Sequence, residues 1–169
     1  MNFDYRTTIP ADFADSSRVW VYQASRLFTI SEALSIETLL EQFTAQWQSH
    51  GVPVKGYANL LFGQFIIIMA DETATGVSGC STDSSVRMLQ QIEQQTGVQL
   101  FDRQLLAFRI EDKVQLIPLS QFEYAVENGF INEDTLYYNN LVNTKKDLLS
   151  SWIIPVKQSW LKKRLGIQQ

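Results

Sequence analysis

Cys80, the only cysteine of the chain, lies in residues 76–85, a stretch rich in glycine and hydroxyl side chains that precedes a helical pattern. A thiol just ahead of a helix can have a lowered pKa, because the helix dipole and the open N–H groups favour the thiolate. The same N–H groups attract anions. Three interpretations therefore stay open: a reactive thiol, an anion-binding loop, or a helix start capped by its hydroxyl groups, which we favour.

His50 is the only histidine, so it forms with Cys80 the one nucleophile and base pair that the composition permits. The alternative is structural, since a histidine just after a helix interacts favourably with the last carbonyl groups. One cysteine and one histidine cannot build a four-ligand zinc site. The sequence thus predicts neither a metal site nor a cofactor.

Hydrophobic periodicity predicts the elements that would position these residues. Apolar runs predict strands at residues 18–24, 55–62, 64–70, 104–110 and 114–117. Apolar residues at helical spacing predict three helices. The first runs from a capping box at Thr29 and Glu32 to residues 49–53, the second from about Asp83 to Thr96, and the third from Pro118 to about Gly129.

The order of the first six elements is β, α, β, β, α, β, which is typical of an α+β ferredoxin-like (split βαβ) sandwich. The following strand, residues 114–117, adds an extra hairpin strand. We predict one domain over residues 1–169, with a core at about 18–117 and a C-terminal extension at about 118–169.

This topology brings several polar residues to one edge of the sheet, because each connection reverses or returns the chain. His50 precedes the second strand and Cys80 follows the third, so both are expected at the edge where the first strand begins and the fourth ends. The arrangement predicts a candidate site for an anion at the helix start. Its candidate ligand-binding residues are Ser81, Thr82, Asp83, Arg18 and Arg109.

Charge is distributed unevenly along the chain. Residues 1–144 carry 8 basic and 17 acidic side chains, a net charge of −9, whereas residues 145–169 carry 6 and 1, a net charge of +5. The acidic body argues against binding a nucleic-acid backbone over a broad surface. The basic tail, which includes residues 162–164, is expected to be solvated or to face the acidic body or a protein partner.

The longest apolar run, residues 60–70, is too short to cross a membrane. The first ten residues lack the apolar core of a signal peptide, which predicts a cytoplasmic protein.

Three nucleotide-binding and hydrolase motifs are absent from the sequence: the P-loop, the Gly-x-Gly-x-x-Gly turn and the Gly-x-Ser-x-Gly elbow. Two weaker patterns remain. Asp71 and Glu72 could form a carboxylate pair, but such neighbours more often solvate a loop. Residues 137–145 combine aromatic, amide and lysine side chains that could suit a polar ligand, although Asn139 and Asn140 are also typical of a turn.

The runs RVWVYQA, QWQSHG, GCSTDSSV, FDRQLLAFR, NNLVNTK and PVKQSW span most of the chain from about residue 16 to 161. Together they resemble a family of small uncharacterised bacterial proteins that are often labelled transporter-ATPase-like without having a phosphate-binding loop. The resemblance implies a cytoplasmic bacterial protein. It implies no activity and transfers no functional residue.

The absence of an acid–base set and the oppositely charged tail together predict a noncatalytic binding or protein-interaction module, with a homodimer or a protein partner. The alternative is a small-molecule or anion-binding enzyme that uses the Cys80 and His50 edge of the sheet.

Overall fold

A computed structural model of the protein describes residues 4–166 as an arrangement of nine strands and four helices. Residues 1–3 and 167–169 of the predicted domain lie outside the described residues. The strands are β1 (Arg18–Gln23), β2 (Gln48–Ser49), β3 (Val52–Pro53), β4 (Lys55–Leu61), β5 (Phe65–Asp71), β6 (Leu105–Ile110), β7 (Lys113–Pro118), β8 (Leu136–Tyr138) and β9 (Ile153–Pro155). The helices are α1 (Ile30–Gln46), α2 (Gly79–Thr96), α3 (Phe122–Glu127) and α4 (Lys145–Ser151), and short 3₁₀ turns connect several elements.

The first sheet is antiparallel in the order β1-β5-β4, so β5 lies in the centre. All seven residues of β5 are buried, and the apolar sequence of the first six predicts this. Ile66 and Ile68 face a core formed with α1 and α2. Phe65 and Ile67 face an opposite core that contains Tyr138 and Trp152, because successive residues of a strand point to opposite faces.

The start of α1 confirms the predicted capping box. The Thr29 hydroxyl accepts a hydrogen bond from the Glu32 N–H at 3.1 Å, and the Glu32 carboxylate accepts one from the Thr29 N–H at 2.9 Å. The end of α2 confirms Gly97 as its left-handed terminating residue, with φ 73°. The start of α1 and the end of α2 are therefore determined by local sequence.

The α+β class is confirmed, and the first three predicted core strands form one antiparallel sheet in the order β1-β5-β4. The fourth, β6, is not hydrogen-bonded beside β1; it belongs to a second sheet in the order β7-β6-β8-β9. The C-terminal extension supplies β8 and β9, and β8 pairs with β6. The predicted hairpin of β6 and β7 is present.

The rest of the extension also packs on the body. Trp152 is fully buried in the core behind β5, and the edge of β1 forms an isolated bridge from Arg18 to Thr144. Arg164 pairs with Glu123 at 2.7 Å, so part of the basic tail faces an acidic residue of the same chain. No helix within residues 4–166 is long and apolar enough to cross a membrane.

Candidate functional site

A cleft of about 430 Å³ lies between the outer edge of β1 and the beginning of β6. The strands β1 and β6 form two of its walls, and the loop after β8, residues 139–143, contributes a third. The cleft therefore lies between the two sheets, beside the outer edge of β1.

Both strands present backbone groups to this cleft. The Val19 N–H donates to the Asn143 carbonyl at 3.0 Å, which shows that the N–H and C=O groups of odd-numbered residues in β1 point away from β5. On the other side, β6 pairs with β8 only at Phe108 and Arg109. The beginning of β6 thus faces the outer edge of β1 without a ladder between them.

A buried amide network joins the walls. Gln23, which is 7% exposed, donates from Nε2 to the Leu105 carbonyl at 2.9 Å and accepts at Oε1 from Asn140 Nδ2 at 2.9 Å. Asn140 Oδ1 in turn accepts from Trp152 Nε1 at 3.0 Å. Because each amide donates and accepts, the network holds the two sheets at a defined separation.

Arg103 crosses the cleft from the segment before β6. Its Nη1 donates to the Val21 carbonyl at 3.1 Å, and its guanidinium lies 5.7 Å from the centre of the Tyr22 ring. The neighbouring Asp102 accepts a hydrogen bond from the Gln104 N–H at 2.9 Å, and within residues 4–166 it forms no ion pair with Arg103. Among the residues that line the cleft, Arg103 is the one with a positively charged side chain.

The rim of the cleft is apolar. Leu141 is 66% exposed and Trp160 is 39% exposed, and the Trp160 indole donates to the Tyr137 hydroxyl at 3.1 Å. Exposed large apolar side chains beside a cavity are typical of a surface that binds a ligand.

The structure places Cys80 and His50 away from this cleft. Cys80 is exposed in the first turn of α2, and His50 is exposed at the tip of the β2–β3 hairpin. His50 and Gly51 have φ values of 51° and 79°, as a two-residue type I′ turn requires, so His50 lies in a hairpin and not at the helix end. Within residues 4–166, no hydrogen bond joins the side chains of Cys80 and His50.

The two segments are nevertheless attached to each other. The buried Ser81 hydroxyl donates to the Gln48 carbonyl at 2.5 Å, and Trp47 Nε1 donates to the Ser81 carbonyl at 3.0 Å. Ser81 therefore fastens the start of α2 to the hairpin that carries His50. Its hydroxyl has a structural partner.

The helix cap lies earlier than predicted. Ser78 caps α2 by accepting from the Ser81 N–H at 3.2 Å, so Ser81, Thr82 and Asp83 lie inside the helix and not ahead of it. The Thr82 hydroxyl donates back to the Ser78 carbonyl at 3.1 Å, and Asp83 is exposed. The expectation failed because residues 78–85 are all polar or small, so they give no apolar periodicity from which the first turn could be recognised.

Of the two predicted arginines, only Arg18 lies at the expected edge. It is 3.8 Å from the Glu72 carboxylate and 4.8 Å from the Trp20 ring. Arg109 instead lies about 6 Å from the rings of Phe62 and Tyr138. Phe62 is in the β4–β5 turn, at the opposite end of the first sheet, so the predicted convergence of Arg109 with Cys80 is wrong. The cause is the placement of β6 in the second sheet.

Asp71 and Glu72 do not form a pair. Asp71 is buried and accepts from the Ala14 N–H at 3.0 Å, the Thr73 N–H at 3.0 Å and the Thr73 hydroxyl at 2.7 Å. These hydrogen bonds, with Lys55 nearby, lower the pKa of Asp71 to about 2. Glu72 accepts from the Val77 N–H at 2.7 Å. Both carboxylates fasten loops.

Two functional candidates were missed by sequence reasoning, Gln23 and Arg103. Neither lies in a recognisable motif, and each meets its cleft partners across more than 80 residues of sequence. The tract 137–145 did carry a signal, since its aromatic, amide and lysine side chains could suit a polar ligand, although Asn139 and Asn140 are also typical of a turn. Tyr137, Asn140 and Asn143 of that tract line the cleft.

No family model matches the chain, and no curated protein or solved structure shows detectable similarity to it. Among residues 4–166, no group of three or more His, Cys, Asp or Glu side chains is placed to hold a metal ion.

Proposed function

We propose that the protein is a noncatalytic binding module and that its ligand site is the cleft between β1 and β6. The observation that carries this proposal is the cleft itself, a half-open space of about 430 Å³ between two strand edges that the Gln23 and Asn140 amides connect. This volume lies in the range of cavities that bind small molecules.

The composition of the walls supports a binding role. Valine, leucine and alanine side chains line much of the cleft, and a few amide, guanidinium and phenol groups are placed among them. Such a mixture favours a ligand with an apolar body and a few polar atoms. The cleft contains no histidine or cysteine, so it offers neither an imidazole base nor a thiol nucleophile.

A ligand screen by saturation-transfer NMR tests the proposal. The blocking variant is Leu141→Trp, which enlarges an exposed residue of the rim, and the matched control is Leu34→Trp, at a position of similar exposure on α1. We expect fragments that bind the wild type to lose their signal with Leu141→Trp and to keep it with Leu34→Trp. Equal signals for all three proteins would show that the cleft is not the site.

The second candidate is a small-molecule or anion-binding enzyme that uses Cys80 and His50. The exposure of Cys80 in the first turn of an eighteen-residue helix favours it, since a thiol there is accessible and near the positive end of the helix dipole. Alkylating Cys80 distinguishes the two proposals. Ligand binding that survives alkylation supports the cleft, whereas its loss supports the Cys80 edge.

We further propose that the first sheet with α1 and α2 is a split βαβ unit in which residues 143–144 take the place of the fourth strand. The Val19 N–H bond to Asn143 and the bridge from Arg18 to Thr144 support this relation to the ferredoxin-like fold. The resemblance to the transporter-ATPase-like family, the cytoplasmic location and a homodimer or protein partner stay predictions.

A further inference from the structure

We infer that the ligand of the cleft carries a carboxylate group on a small apolar body. This inference rests on the proposed function and names the chemistry that the cleft would recognise. It follows from an accounting of the hydrogen-bonding groups on the walls, because a ligand must match the groups that the protein leaves available.

Five oxygen atoms of the walls already accept a hydrogen bond from the protein. The Val21 carbonyl accepts from Arg103, and the Leu105 carbonyl accepts from Gln23. The side-chain oxygens show the same pattern, with Gln23 Oε1 bonded to Asn140, Asn140 Oδ1 to Trp152 and the Tyr137 hydroxyl oxygen to Trp160. Each of these five oxygens has a donor from the protein itself.

The donors are engaged less fully. Within residues 4–166, Arg103 uses one of its N–H groups, and the amide nitrogens of Gln23 and Asn140 each use one of two. The strand parity also directs the N–H of Val21 toward the cleft. These open N–H groups, together with the one guanidinium of the lining, favour a planar anion with several acceptor lone pairs, which is the chemistry of a carboxylate.

The remaining wall surface defines the body of the ligand. Val19, Leu106 and Ala107 are buried and apolar, and they leave no charged partner for a second ionic group deep in the cleft. The only acidic residue of the lining, Asp102, is exposed and already holds the Gln104 N–H. A short aliphatic or aromatic body therefore fits the walls better than a polyanion.

Two sources supply this chemistry: a free carboxylic acid, or the C-terminal carboxylate of a peptide with an apolar last residue. The experiment compares 3-phenylpropionate with 3-phenylpropionamide, and an N-acetylated Ala-Val-Phe peptide with its C-terminal amide, by NMR titration. We expect at least one acid to bind about tenfold more tightly than its matched amide. The pair that shows the preference identifies the source.

The variant Arg103→Gln should remove this preference, so that acid and amide bind alike, while Arg87→Gln, at an exposed position on α2 outside the cleft, should retain it. If Arg103→Gln does not fold, Arg103→Lys keeps the charge and loses the planar fork, and we expect it to weaken the preference. Equal binding of acid and amide by the wild type would overturn the carboxylate inference and leave the cleft as a binding site. The carboxylate inference is likewise overturned if none of the four compounds binds while fragments of the NMR screen bind in the cleft. If neither the four compounds nor the fragments bind, the proposed function is rejected as well.

Discussion

The Gln23 amide accepts a hydrogen bond from Asn140 Nδ2 at 2.9 Å, which joins two residues 117 positions apart in the sequence. Gln23 ends β1 of the first sheet, and Asn140 follows β8 of the second. This contact couples the two sheets at the cleft, because Gln23 also holds the Leu105 carbonyl and Asn140 also holds the Trp152 indole. Stability and ligand binding should therefore depend on the same pair.

The variant Gln23→Leu tests this coupling. It conserves most of the side-chain volume but leaves the Leu105 carbonyl and the Asn140 amide without their buried partner. We expect a loss of about 1–3 kcal/mol in the free energy of unfolding, measured by urea denaturation. The control Gln90→Leu, on the exposed side of α2, should change it by less than about 0.5 kcal/mol. Equal effects at the two positions would show that the amide network contributes nothing to stability.

Asp71 should make the stability of the protein sensitive to acid. Its hydrogen bonds to the Ala14 and Thr73 groups hold its pKa at about 2, below the ordinary value of 3.8. Since folding favours the charged form, this stabilisation is complete above the ordinary pKa and is lost as the pH falls through about 2. Urea unfolding between pH 7 and pH 2 should show that the free energy of unfolding falls more steeply in the wild type than in Asp71→Asn.

Glu32 titrates in the same range, because its hydrogen bonds to Arg26 and Thr29 also lower its pKa to about 2. In Asp71→Asn, the free energy of unfolding should therefore still fall at acid pH, but less steeply than in the wild type. Asp15→Asn, at an exposed position, should keep the profile of the wild type. A profile of Asp71→Asn that parallels the wild type from pH 5 to pH 2 would contradict the role given to Asp71.

Lys145 is a buried lysine held by backbone carbonyls. Its Nζ donates to the Pro10 carbonyl at 2.8 Å and to the Phe13 carbonyl at 2.7 Å, so it fastens the segment that precedes β1. Lys145→Met should cost about 1–3 kcal/mol in the free energy of unfolding and should accelerate proteolysis within residues 4–17. The neighbouring Lys146 is exposed, and Lys146→Met is expected to leave both measurements unchanged. Unchanged cleavage of Lys145→Met would count against this anchoring role.

Local signals predicted the parts of the fold that local chemistry determines. The capping box of α1, the left-handed Gly97 and the buried β5 each follow from side chains within a few residues. The position of β6 does not, because its partner β8 is only three residues long and lies in a segment without a clear strand pattern. Displacing one strand moved Arg109 away from the predicted site.

The sequence did not predict the cleft, for the same reason. Residues 137–145 carried a recognisable mixture of side chains, but a single sequence does not show which distant strand edge such a tract will meet. Gln23 and Arg103 acquire their roles only when β1 and β6 are placed opposite each other. A site between two sheets depends on long-range pairing, which local periodicity does not encode.

Gly56 in β4 should be intolerant of even a methyl group. A Cβ atom built there would lie 2.6 Å from Trp47 Cε3, and Trp47 is itself held by its indole bond to the Ser81 carbonyl and by contacts with Trp20 and Phe43. Gly56→Ala should therefore destabilise the protein by about 1–3 kcal/mol, because the ring must shift in a packed core.

Gly79→Ala provides the matched control: Gly79 has no atom within 4 Å of the added Cβ and lies in α2, where alanine is the better helix former. We expect Gly79→Ala to be neutral or stabilising by up to about 1 kcal/mol. Thermal unfolding of the two variants separates overpacking at Trp47 from a general effect of glycine replacement, and a Gly56→Ala protein as stable as the wild type would show that Trp47 is free to move.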